Sequence, residues 1–152
     1  MIIKLKGINL FKLLAAALIL LLLINIVILK FNFVGITQNL SQQNEIFFPK
    51  GWFIGLVWTI LILFQTFVFK YTENENNTKL VLLLIFSCMT YPIYTLGFSV
   101  LSLIFLGNLI TLALSSFAAG MLFNESAKLS TFIFFTSIWI IVVTYLLFRV
   151  HS

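Results

Sequence analysis

The sequence predicts an all-α membrane protein, one bundle of five transmembrane helices formed by residues 1–152, and three observations carry that prediction. Of the 152 residues, 62% are hydrophobic and only 9% are charged, whereas a water-soluble domain carries roughly a quarter charged residues to build its surface. The charged residues stand at intervals, and the apolar runs between them are long enough to cross the ~30 Å hydrocarbon core. Finally, Leu80 to Asn124 holds no charged residue at all. As one helix, at ~1.5 Å per residue, that stretch would be about twice the hydrocarbon thickness, so it must fold back as two spans.

The first span is expected at residues 8–29. Lys4, Lys6 and Lys12 precede an apolar run broken only by Asn25. The run exceeds the ~7–15 residue core of a cleaved signal and no small-x-small site follows, so the helix is read as retained. Residues 32–50, rich in Asn, Gln and Ser, form the longest polar loop. The second span covers 51–69 and stops at Lys70, and Tyr71 to Lys79 makes a short polar link.

The uncharged stretch divides into spans at 80–98 and 100–123, with the turn at Thr95 to Ser99 around Gly97. Pro92 precedes it, and a proline inside a helix frees a carbonyl and kinks the axis. Glu125, Ser126 and Lys128 link to the last span at 129–148, which Arg149 ends. Asn76 and Asn124 begin glycosylation sequons that matter only in a secretory pathway.

Lys and Arg then set the orientation. Lys4, Lys6, Lys12, Lys70, Lys79 and Lys128 fall on one side, and Lys30, Lys50 and Arg149 on the other. The excess predicts a cytoplasmic N-terminus and an outside C-terminus, in a multi-pass protein of a bacterial cytoplasmic membrane. The net charge of +5 does not imply nucleic acid, because the basic residues are scattered singly and build no stripe.

Several chemistries find no footing. Apart from Lys12, which can reach the interface, no carboxylate, lysine or arginine lies inside a span, so a mid-membrane proton relay cannot be assembled. No Ser–His–Asp, Cys–His or paired-carboxylate set exists for hydrolysis. Cys88 is the single cysteine and His151 the single histidine. The thiol reads as a small hydrophobe, and no metal site can be built around one imidazole.

Aromatic residues remain, at 16% of the chain with 18 Phe, and most are packing or lipid-facing. Trp52 opens its span, where an interfacial belt is the plain reading. Trp58 and Trp139 lie deep, where an indole N–H needs a partner or a polar cavity. Trp58 shares a helical face with Ile62, and Trp139 shares one with Val143. Two such faces meeting would line an apolar pocket for a flat hydrophobic ligand, and aromatic packing without a ligand is the alternative. Thr111, Ser115, Ser116, Ala119 and Gly120 give the fourth span a small-residue face for helix packing or a dimer contact.

The run Phe48-Pro49-Lys50-Gly51-Trp52-Phe53-Ile54-Gly55-Leu56-Val57-Trp58-Thr59-Ile60-Leu61 resembles a signature of the TspO/MBR family, the translocator proteins or tryptophan-rich sensory proteins. Its pattern there is Pro-Pro-Gly-Trp-x-Phe-Gly-x-Val-Trp-Thr-x-Leu-Tyr. Trp139 with Thr144-Tyr145-Leu146 resembles that family's Trp-x-x-x-Ala-Thr-Tyr-Leu-Asn. Lys50 and Leu56 stand where the family has prolines, Ile62 replaces its tyrosine, and Leu147 replaces the terminal asparagine.

The resemblance implies a binding protein for porphyrins, sterols or similar flat lipophiles, often a dimer, with the ligand held between five helices. The matching pocket residues are Trp58 and Trp139. By position, Ile62, Tyr91, Tyr94, Asn108 and Val143 line it too. No resident cofactor is implied beyond porphyrin as a ligand. Some bacterial members are linked to light-dependent porphyrin breakdown, which makes weak photo-oxidative activity an expectation of the resemblance alone. A structural or assembly subunit with a packed aromatic interior is the alternative function.

Overall fold

The computed structural model describes residues 7–30, 51–97 and 101–151. Five helices account for nearly all of them: α1 (Leu10–Lys30), α2 (Gly51–Tyr71), α3 (Glu75–Gly97), α4 (Leu101–Phe123) and α5 (Ala127–His151). No strand occurs among the described residues. The polar first loop lies outside them, as do residues 98–100; of the turn expected at Thr95 to Ser99, Thr95 to Gly97 are still helical in α3.

Local chemistry sets each helix start. Asn9 caps α1, its Oδ1 accepting the Phe11 N–H at 3.1 Å, which places the first helical residue at Leu10. Asn74 caps α3 in the same way, accepting the N–H groups of Asn76 and Asn77 at 2.8 and 3.3 Å. That helix therefore begins at Glu75, five residues before the charge-free run expected as its span. Ser126 starts α5, its Oγ accepting the Leu129 N–H at 3.4 Å. Proline at 92 does not end α3, which continues to Gly97.

Helices α1, α2, α4 and α5 are each long and apolar enough to cross a membrane. The opening of α3 is polar, Glu75-Asn76-Asn77-Thr78-Lys79, and its apolar part begins at Leu80.

Packing follows a ring. Helix α1 lies against α2 and α3, α2 against α5, α5 against α4, and α4 returns to α3. A further contact between α2 and α3 closes the middle, and the α4–α5 seam is the most extensive. Inside the ring sit Trp58, Leu61, Ile62, Val68, Val81, Leu84, Cys88, Ala118, Leu122, Ile133 and Ile140, all buried.

The distribution of polarity is reversed from that of a soluble protein. Gln65, Asn108, Thr111, Ser115, Thr136 and Ser137 are at most 1% exposed, while Leu22, Phe86, Leu109, Phe117 and Phe148 are more than half exposed. In water that outer surface would be a continuous apolar patch of a kind monomeric soluble proteins avoid. In lipid it costs nothing, and most of the interior polar groups bond to one another instead.

One end of the bundle is tied by polar contacts. Lys70 Nζ donates to the carbonyl of Ile8 at 2.7 Å, joining the end of α2 to the chain before α1. Glu125, in the α4–α5 turn, accepts from the N–H groups of Glu73 and Asn74 in the α2–α3 turn. Its second oxygen accepts the Asn77 Nδ2 at 2.8 Å. These contacts put the start of α1, the α2–α3 turn and the α4–α5 turn at one end of the bundle.

Candidate functional site

The tryptophan on α2 is set by helical register. Trp58, Ile62 and Gln65 recur at three- and four-residue spacing and are all buried, 6% exposed or less, so they form one inward stripe. Thr59 and Thr66 beside them satisfy their hydroxyls on the Gly55 and Ile62 carbonyls, both at 2.8 Å. Neither therefore competes for the interior.

Trp58 meets Tyr91 of α3, with ring centroids 4.5 Å apart and planes inclined by 33°, a tilted stack within the favourable range. The Tyr91 hydroxyl donates to Asn108 Oδ1 on α4. Asn108 Nδ2 in turn donates to Thr144 Oγ1 on α5 at 2.8 Å. The Thr144 hydroxyl passes its own proton to the Ile140 carbonyl at 2.7 Å. One line of contacts thus runs across four helices, from an indole face to a backbone oxygen.

Trp139 sits differently. It is half-buried, packs against the main core and also against a smaller cluster of Ile104, Val143 and Leu147 with Phe105. Its ring partner is Phe53, edge-on at 6.4 Å. The Trp139 Nε1 is buried and has no hydrogen-bond acceptor among the described residues.

Of the residues expected to line a pocket, Trp58, Ile62 and Tyr91 come together in the main core, and Asn108 joins them by its hydrogen bond. Val143 lies in the smaller cluster, with Trp139 touching both groups. The two tryptophans contact different rings. Tyr94 is on α3, but its side chain, like that of Trp52, lies outside the described residues. A cavity of about 530 Å³ opens between α4 and α5, and Asn108 alone of the expected lining residues borders it.

A second polar layer escaped the sequence reading. Gln65 Nε2 donates to Thr136 Oγ1 on α5 at 3.0 Å and lies 3.3 Å from Cys88 Sγ on α3. Ser137 bonds Ser115 at 2.8 Å and receives a bond from Ser116 at 3.2 Å. Seven residues separate Trp58 from Gln65 and Asn108 from Ser115, so the layers are about 10 Å apart. A glutamine within an apolar span was the available signal, since such a group must find an interior partner.

The small residues of α4 divide in the same way. Thr111, Ser115 and Ala119 are buried within the bundle, whereas Ser116 and Gly120 are exposed. The first three accommodate the close α4–α5 seam, where Ser130 Oγ also reaches the Ala119 carbonyl at 2.7 Å.

These features define an all-helical integral membrane protein with its polar groups turned inward. No family model, curated protein or solved structure matches the chain.

Proposed function

We propose that the chain is a five-span membrane protein that binds porphyrins, sterols or similar flat lipophiles between its helices, in the manner of the TspO/MBR family it resembles. In this reading α3 is the fifth span: from Leu80 to Gly97 it carries no charge. The N-terminus is cytoplasmic, the C-terminus lies outside, and a homodimer is the assembled form. The observation that carries the proposal is the Trp139 indole N–H, buried without an acceptor among the described residues beside the small Ile104–Val143–Leu147 cluster. A buried donor left unpaired is costly, and a ligand oxygen or ring nitrogen at that position removes the cost.

Titration of the detergent-solubilised protein with a porphyrin panel tests the proposal. Saturable quenching of tryptophan fluorescence that weakens in Trp139→Phe is expected. Binding that is absent, or identical in parent and variant, overturns it.

A second reading, a structural or assembly subunit with no ligand, is favoured by a different observation. Trp58, Ile62, Tyr91 and Asn108 are each at most 6% exposed and the last two satisfy one another. On that reading Trp58→Phe and Trp139→Phe reduce the yield of folded protein, and no porphyrin binds to the parent.

A further inference from the structure

The cavity between α4 and α5 has no part in the interior line of contacts except at its floor. Phe105, Leu109 and Leu112 on α4 line it with Ile141, Tyr145 and Phe148 on α5. Between them lie Asn108 and Thr144, already bonded to each other at 2.8 Å. Leu109, Ile141, Tyr145 and Phe148 are all more than half exposed, so the groove opens outward, toward the hydrocarbon that surrounds the bundle. At about 530 Å³ it falls in the ordinary range for a small-molecule site.

Shape and charge limit the occupant. Its lining residues recur at three- and four-residue spacing over two turns of each helix, so the groove runs about 10 Å along the helices. Such helices stand roughly along the bilayer normal, the direction in which acyl chains extend. Phe105 and Phe148 mark one end, and Arg149 follows Phe148 directly, one turn from Tyr145. Arg149 is exposed and ends the apolar part of α5. A guanidinium at that position meets the level of lipid phosphates, and its planar donors suit them.

From this juxtaposition we infer that the α4–α5 groove is a binding site for one anionic glycerophospholipid, with an acyl chain along the groove and the phosphate at Arg149. The groove meets the residues expected to line a porphyrin pocket at Asn108. The neighbouring Asn108–Thr144 pair, being satisfied internally, offers a chain no unmet polar group to desolvate.

Native mass spectrometry of the full-length protein in detergent tests the inference, with phosphatidylglycerol and phosphatidylcholine of matched chains as probes. One phosphatidylglycerol is expected to bind more tightly than phosphatidylcholine. Arg149→Gln should weaken phosphatidylglycerol by about fivefold and leave phosphatidylcholine unchanged. Leu109→Trp, which fills the groove, should weaken both lipids; Phe148→Ala, which removes a wall, should do the same and serves if the tryptophan variant does not fold. Equal retention of both lipids by all proteins overturns the inference. So does an equal loss in Leu83→Trp, on the exposed side of α3. A dimer that Leu109→Trp dissociates would give the groove to a second copy and likewise overturn it.

Discussion

Gln65 on α2 and Thr136 on α5, 71 positions apart, are joined by a hydrogen bond of 3.0 Å at a depth where neither side chain has any exposed surface. The bond is unequal in its consequences. Gln65 Oε1 is buried without a donor among the described residues, so the amide already carries an unmet group. Thr136, by contrast, can turn its hydroxyl to its own helix.

Removal of Gln65 should therefore be mild. Gln65→Leu keeps the volume, deletes the unmet oxygen and should change stability by less than about 1 kcal/mol. Thr136→Val strands an amide N–H and should cost about 1–2 kcal/mol. Unfolding in mixed detergent micelles measures both, and a Gln65→Leu protein less stable than Thr136→Val would contradict the argument.

Asn108 ties three helices and should be harder to replace. Asn108→Ala removes the acceptor for Tyr91 and the donor to Thr144 together and leaves a small cavity, a loss of about 2–4 kcal/mol. Tyr91→Phe keeps the ring on Trp58 and loses one bond, about 1 kcal/mol. The same unfolding assay ranks the two, and a reversed order would contradict the role given to Asn108.

Ligand binding gives a sharper test of the tryptophans. Aromatic stacking contributes about 0.5–1.5 kcal/mol beyond area burial, so Trp58→Phe and Trp139→Phe should each weaken porphyrin binding roughly threefold to tenfold. Trp52→Phe should do little. Folded Trp58→Phe and Trp139→Phe proteins with parental affinity would remove the ligand site.

Much of this architecture is legible in the sequence because lipid enforces it. Lys30, Lys70 and Arg149 punctuate apolar runs, and α1, α2 and α5 end at or just past them. The caps at Asn74 and Ser126, which read only as linker residues in the sequence, start α3 and α5 earlier than the loss of charge suggests. The inward stripe of Trp58 and Ile62 could be read from spacing. The pairing of Gln65 with Thr136 could not, since helix register fixes which residues face inward but not which helix faces which. For the same reason Trp58 found Tyr91, rather than Trp139, as its ring partner.

The tied end yields a topological prediction. Reporters inserted after Thr72 and after Glu125 should report the same side of the membrane, and one fused at Ser152 the opposite side. Glu125→Gln, which keeps an oxygen acceptor, should retain most of the stability that Glu125→Ala loses, about 1–2 kcal/mol in detergent. Reporter signals on opposite sides for the two turns would break the up-and-down arrangement.

Among its described side chains, helix α1 buries Ala17 and Leu21 alone, while Leu18, Leu20, Leu22, Leu23 and Ile26 face outward. Its polar residues, Lys12 and Lys30 near the two ends and Asn25 between them, are all exposed. A segment so composed is at ease alone in hydrocarbon. Helices α2, α4 and α5 are not, because their polar groups bond across helix boundaries, Gln65 to Thr136, Asn108 to Tyr91 and Thr144, and Ser137 to Ser115. During synthesis the first helix can thus wait in the bilayer as a solitary tether. The later ones gain by leaving the insertion machinery in company, with their polar atoms already matched.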